Sequence, residues 1–248
     1  MKLIINAEDF GLSESINKGI LEGLLDGFIT SASLIMNAKY CDEAIEMIKK
    51  NKLSSVGVHL NLTYGYPLTK KERVKSLVDE DGKFHYMCSM PFFAKYKDAK
   101  TELKAQIEKF YKSGLTPSHL DFHHYFYSSK DVYEAYLDLA KEYRLPIRSM
   151  TQRTQTLAKE KKLKTPDYFV SDFHESYNKN ETLKNICESL KDLDGVCELM
   201  TTPGYIDTFT TGETNYLSRE EELIALKAAK ENGLFKDLKL ASFKTAFK

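Results

Sequence analysis

Tryptophan is absent from the 248 residues, proline occurs only six times, and there is no net charge, since 36 Lys+Arg balance 36 Asp+Glu. The balance argues against a broad nucleic-acid footprint, which needs excess cations to displace counterions. No apolar run reaches the roughly eighteen residues that a membrane helix requires. The opening Met1-Lys2-Leu3-Ile4-Ile5-Asn6 turns acidic at Glu8-Asp9, too early for a signal peptide. The four cysteines, Cys41, Cys88, Cys187 and Cys197, include no Cys-x-x-Cys pair. That points away from a disulfide framework and toward a reduced, cytoplasmic protein with no membrane partner. Internal repeats and low-complexity linkers are also missing. Histidine is scarce, at six residues, yet His119, His123 and His124 fall within six positions.

What is present is an alternation of short apolar runs and amphipathic stretches. Strands are expected at Leu3–Ile5, Ser33–Met36, Val56–Leu60, Ser118–Asp121, Pro146–Arg148, Val196–Met200 and Leu238–Ala241. Helices are expected after Ser13, with Ile16, Ile20, Leu21, Leu24 and Leu25 inward and Gly27 closing it, and near 42–50, 99–113, 131–143, 181–192 and 218–231. Residues 64–98 and 150–180 break the rhythm and are expected as excursions. The alternation predicts an α/β fold with parallel strands covered by helices. Seven or so units with no internal boundary favour one closed or nearly closed (β/α) barrel over 1–248 rather than an open doubly wound sheet.

In such a barrel the C-terminal strand ends meet on one face. Strand one ends at Glu8-Asp9, strand three at His59, and strand four runs through His123-His124. Asp9, His59 and His123 can therefore converge across more than a hundred residues. Two imidazoles and a carboxylate suit Zn²⁺ or a similar ion with open positions. Such a site serves amide or ester hydrolysis. Each residue also has a plainer reading: His59 as a core histidine, Asp9 as a loop carboxylate, and His119 with Asp121 as a hydrogen-bonded pair on one strand face. Arg148, at the end of a short strand, is a candidate to orient an acidic base, or else a surface ion pair.

Ala7-Glu8-Asp9-Phe10-Gly11-Leu12-Ser13 resembles the opening motif of the YdjC/ChbG carbohydrate deacetylases. The likeness continues through Thr30–Leu34, Gly57–Thr63, Pro117–His124, Glu198–Tyr205, and Tyr216 with Arg219-Glu220. It covers nearly the whole chain in order. It implies a distorted (β/α) barrel of the NodB-like, glycoside hydrolase–deacetylase type. It also implies metal-dependent removal of acetyl from N-acetylated amino sugars such as chito-oligosaccharides. The implied metal ligands are Asp9, His59 and His123, with Mg²⁺ the ion the family suggests. By the same resemblance Glu8 stands at the position of the general base; His124, Tyr125 and Thr202 are candidates to face substrate by their own chemistry, His124 alternatively acting from behind the ligands and Tyr125 alternatively packing in the core. The sequence departs from the family pattern at Glu8, where an Asp is usual, at Thr202, where a His often precedes Pro-Gly, and at Tyr125, where a third His is common. Those departures raise the alternative of an altered member that binds metal and sugar without turnover. A phosphoesterase or sugar-phosphate cleavage enzyme is a weaker reading. His85 and His174 lie in the two excursions and are assigned no catalytic part. The expected partner is a small carbohydrate, and the aromatics of 84–96 offer a homodimer contact.

Overall fold

The structure, a computed structural model, describes residues 1–86, 90–124, 128–208 and 218–248. Cys88, Tyr125 and Tyr216 lie outside the described residues. In chain order the elements are β1 (Lys2–Phe10), α1 (Glu14–Asp26), β2 (Ser31–Leu34), α2 (Cys41–Lys50), β3 (Val56–Leu60), α3 (Met90–Phe93), α4 (Tyr96–Lys112), β4 (Leu120–Phe122), α5 (Lys130–Tyr143), α6 (Gln152–Glu160), β5 (Tyr168–Val170), α7 (Asp172–Glu175), α8 (Lys179–Leu190), β6 (Val196–Thr201), α9 (Arg219–Glu231), β7 (Lys239–Ala241) and α10 (Phe243–Ala246). A 3₁₀ turn at Lys71–Arg73 interrupts the 64–98 stretch. No helix among the described residues is long and apolar enough to cross a membrane.

The strands form one parallel sheet in the order β4-β3-β2-β1-β6-β5, with β7 paired to the start of β1. Helices between the strands complete a distorted α/β barrel. The expected strand at Pro146–Arg148 is a single bridge from Ile147 to Leu120 on the β4 edge. Residues 150–180 differ from the irregular excursion expected of them, because they hold α6, β5 and α7. Thr151 and Thr154 close a capping box that starts α6 despite its polar composition. β5 is short and half-exposed, so it lacks the apolar run by which a buried strand is recognised. In α1, Ser13 caps the first turn and Gly27 ends it at φ 73°, while Ile16 and Ile20 are buried and Leu25 faces solvent.

Period two divides β1, β3, β4 and β6 between two environments. Leu3, Ile5 and Ala7 of β1, Val56, Val58 and Leu60 of β3, Leu120 and Phe122 of β4, and Cys197 and Leu199 of β6 join the helices in the main apolar core. The alternate positions face inward: Asn6 and Glu8, Ser33, His59, Asp121 and Glu198, all buried. A small apolar plug of Ile4, Val196 and Phe243 lies toward the strand starts, Ile4 preceding Asn6 on β1 and Val196 preceding Glu198 on β6. The barrel interior is thus largely polar, and the helices cover the apolar side.

Candidate active site

Glu8 and Asp9 are consecutive in β1, and a regular strand would send them to opposite faces. The register against β2 shifts between Ala7 and Phe10, and Asp9 has φ 67°. This bulge brings both carboxylates to the mouth of the barrel. His124, at the end of the β4 segment, is also left-handed at φ 61°. Non-glycine residues in this conformation are uncommon and concentrate at functional sites.

Three donor atoms meet there. Asp9 Oδ1 is 3.2 Å from His123 Nδ1 and 3.6 Å from His59 Nε2. His123 Nδ1 and His59 Nε2 are 3.4 Å apart. Four-coordinate bonds of about 2.1 Å give a donor–donor edge of about 3.4 Å. Asp9 Oδ1 is buried and accepts no hydrogen bond. Its other oxygen, Oδ2, accepts from Arg219 Nη2 at 2.7 Å. His123 is the most accessible of the three side chains, at 14% exposure against 0% for His59 and 5% for Asp9. Its side of the cluster is therefore the open one. The residues fit a resident divalent cation, with an unsatisfied carboxylate oxygen and two imidazole nitrogens converging on one point.

Asp121, beneath His59, has partners at both of its oxygens. His59 Nδ1 donates to Asp121 Oδ1 at 2.9 Å, which leaves Nε2 on the side of Asp9. A carboxylate behind a ligating histidine fixes its tautomer and raises its basicity. Asp121 Oδ2 accepts from Ser33 Oγ at 2.7 Å and Asn6 Nδ2 at 2.9 Å, with Arg148 Nη2 at 3.3 Å. His119 backs this group, its Nε2 3.8 Å from Asp121 Oδ2 and its ring stacked on Phe243 at 3.7 Å. A Cβ at Gly57 would lie 2.5 Å from the His119 ring, so only glycine fits between β3 and this stack.

Arg148 is buried rather than on the surface. It bonds Glu8 Oε1 through Nη1, and Glu198 Oε1 through Nε at 3.0 Å and Nη2 at 2.6 Å. Glu8 Oε2 is left 3.8 Å from His59 Nε2. The longer side chain therefore spans the distance to the donor cluster.

The charges shift one another. Burial raises the Glu8 carboxyl above its ordinary value, with Arg148 acting in opposition. Burial would also raise Asp9, but Arg219 and then His123 hold it well below the carboxylate range. Burial disfavours a charged His59, yet Asp121 and then Glu8 outweigh that and lift it to about 9. This negative field is one that a cation relieves. His124 is pushed down to about 3 by burial and then by His123. Its Nδ1 pairs with Thr63 Oγ1 at 2.8 Å, in a turn organised by Asn61 Oδ1, which accepts from the Thr63 and Tyr64 amides. The Tyr64 ring meets His123 edge-on at 6.4 Å.

Glu8, Asp9, His59, His123, His124 and Arg148 are thus assembled in one place. Thr202 sits at the end of β6 with its hydroxyl engaged by His174 Nδ1 at 2.8 Å and Glu222 Oε1 at 3.1 Å. Its carbonyl accepts from Arg219 Nη1 at 3.0 Å. Asn6, Ser33, Glu198, Arg219, His174 and Glu222 had no site role in the sequence reading. A polar residue inside an otherwise apolar strand, as at Asn6 and Glu198, was the available signal.

This geometry accompanies a match to a known family. The family described as YdjC-like protein matches residues 2–236. The chain belongs to the YdjC-like family. Among the relatives of this YdjC-like chain is a carbohydrate deacetylase of Clostridium beijerinckii, 37% identical over 219 residues, covering 87% of this chain and 86% of the relative. Another carbohydrate deacetylase, from Geobacillus stearothermophilus, is 37% identical over 224 residues, covering 90% and 88%. A crystal structure from Enterococcus faecalis, described as a candidate cellobiose-phosphate cleavage protein, superposes with a TM-score of 0.91 at 31% identity, covering 98% of this chain and 97% of that one.

Proposed function

We propose that the protein is a metal-dependent carbohydrate deacetylase that removes acetyl from N-acetylated amino sugars. The observation that carries the reading is the convergence of Asp9 Oδ1, His59 Nε2 and His123 Nδ1, each within 3.6 Å of the others. The carbohydrate deacetylases among its relatives support a carbohydrate substrate. Asp9, His59 and His123 would hold one divalent ion. Their nitrogen-rich donor set favours Zn²⁺ or a similar first-row ion over Mg²⁺, which prefers oxygen ligands. When bound, such an ion supplies Lewis acidity toward water and an acyl oxygen.

The chain's own groups do the rest. Glu8 takes a proton from the attacking water through Oε2, and its raised affinity for protons suits that task. Arg148 holds the other oxygen, Oε1, so one carboxylate edge is presented. Asp121 keeps His59 in the tautomer that turns Nε2 toward the mouth. Arg219 fixes Asp9 through Oδ2 and leaves Oδ1 available. His124, held neutral, and Tyr125 are the proposed sugar contacts. The reach of Glu8 into the cluster favours turnover over binding alone.

The test is acetate release from a panel of N-acetylated sugars, with phosphorylated sugars as the control for a phosphoesterase. Release is expected to need added divalent metal, to stop on chelation and to disappear in His59→Ala. Release that survives both treatments, or sugar binding with no release, rejects the reading.

A further inference from the structure

A deacetylase must hold its sugar as well as its ion, and His124 stands beside His123, the most accessible of the three donors. We infer that Thr63 is a positioning residue that fixes His124 as an uncharged donor, offering Nε2–H to a hydroxyl oxygen of the bound sugar. The inference rests on the deacetylase reading.

The turn that carries Thr63 is held by buried side-chain amides. Gln106, on α4, accepts the Asn61 amide at Oε1 (3.0 Å) and donates from Nε2 to the Asn61 carbonyl (2.7 Å). Glu102, one helical turn earlier, accepts from Gln106 Nε2 and from the Leu68 and Thr69 amides, each at 2.9 Å. Asn61 Nδ2 donates to Asn37 Oδ1 at 2.9 Å and to the Tyr64 carbonyl at 2.8 Å, which sets the direction of the Asn61 side chain. Its Oδ1 then accepts the Thr63 amide at 3.0 Å and the Tyr64 amide at 2.9 Å, and both lone pairs are filled.

The hydrogen of the Thr63 hydroxyl therefore has one destination among the described residues. Asn61 Oδ1 is 3.4 Å away and already occupied, whereas His124 Nδ1 is 2.8 Å away. An imidazole nitrogen that accepts a hydrogen bond carries no hydrogen, so His124 is the Nε2–H tautomer and has no charge. Among the described residues its Nε2 has no partner, and the ring is only half-buried.

The ring is also placed against the site. Its centroid is 3.9 Å from that of His123, at an interplanar angle of 39°. Its backbone is held at φ 61°, a conformation that persists in a non-glycine residue only where the surroundings impose it. An uncharged donor in this position adds no repulsion toward a cation at the donor cluster. Its complement is an uncharged acceptor, which a sugar hydroxyl presents. Such a contact is equally strong before and during the reaction, so it contributes to binding and not to rate.

The experiment reads the ring tautomer by nitrogen-15 NMR in the protein supplied with Zn²⁺, together with kcat and KM on an N-acetylated amino-sugar oligomer. Wild type is expected to show His124 protonated at Nε2 and bare at Nδ1. Thr63→Val is expected to show a mixture of tautomers, and Thr63→Ser the wild-type ring. KM is expected to rise about 3–10-fold in Thr63→Val, the range for one lost hydrogen bond, and to return to the wild-type value in Thr63→Ser. In both variants kcat and metal affinity stay close to wild type. His124→Asn, which tolerates the left-handed backbone and withdraws the far nitrogen, is expected to raise KM by at least as much. Adding Thr63→Val to it is expected to cost nothing further, because Thr63 acts through His124. An Nδ1–H ring in wild type, additive losses in the double variant, or a loss carried by kcat or by metal affinity would overturn the assignment. A wild-type protein that releases no acetate removes the deacetylase reading itself, and the ring tautomer then decides the part that Thr63 plays.

Discussion

On β1, Leu3, Ile5 and Ala7 enter the apolar core shared with the helices, while Asn6 and Glu8, from the same strand, enter a charged network. Both faces are buried, yet they obey different rules. The outer face is held by burial of area, roughly 25 cal/mol per Å², which is indifferent to direction. The inner face is held by directed partners, and one missing partner leaves a desolvated polar atom. Asp121 and Asp9 sharpen the contrast within the inner face. Both are buried carboxylates. Asp121 has hydrogen bonds at both oxygens, whereas Asp9 Oδ1 has none. Between these two carboxylates, the one behind His59 is fully engaged, and the one beside two imidazole nitrogens keeps an oxygen open.

The largest test of this contrast is at the open oxygen. Asp9→Asn is expected to abolish measurable binding of divalent metal in titration calorimetry and, with it, acetate release. Metal binding at wild-type strength would show that the open oxygen is not a ligand. Glu8→Gln should lower kcat by about 10²–10⁴-fold, the range for a lost general base, while metal affinity stays within experimental scatter. A matching loss of affinity would make Glu8 a ligand instead. Asp121→Asn should cost about 10–100-fold in metal affinity, the usual effect of removing a carboxylate behind a ligating histidine; an unchanged affinity would make the saturated carboxylate irrelevant to the site. Ile5→Val, on the outer face, should cost only about 0.5–1.5 kcal/mol in denaturant unfolding, with acetate release preserved. A loss of activity there would blur the division between the faces.

The sequence showed the outer face well, because apolar runs at helical and strand periods are a property of each segment alone. Val56–Leu60 agrees with the strand expected, and α2, α4, α5, α8 and α9 lie within a few residues of the helices expected. It showed the inner face poorly. Arg148 could be read equally as a surface ion pair, and its burial among Glu8, Asp121 and Glu198 depends on three strands distant in sequence. The β1 bulge left no local mark either, although it is what sets Glu8 beside Asp9. The contact of His174 with Thr202 was hidden as well, because α7 and β5 lie in a polar stretch whose position against Thr202 is a tertiary fact.

Phe243 sits in the apolar plug and stacks on His119, so it belongs to neither the substrate side nor the donor cluster. Its effect on the site is through the medium. Water admitted beneath His119 would raise the local dielectric around Asp121 and weaken the attraction that holds charge on His59, since Coulomb energy falls in proportion to permittivity. The aromatic stopper therefore helps set the field strength in which the donors act. A substitution at the foot of the barrel can detune its mouth without moving a single ligand.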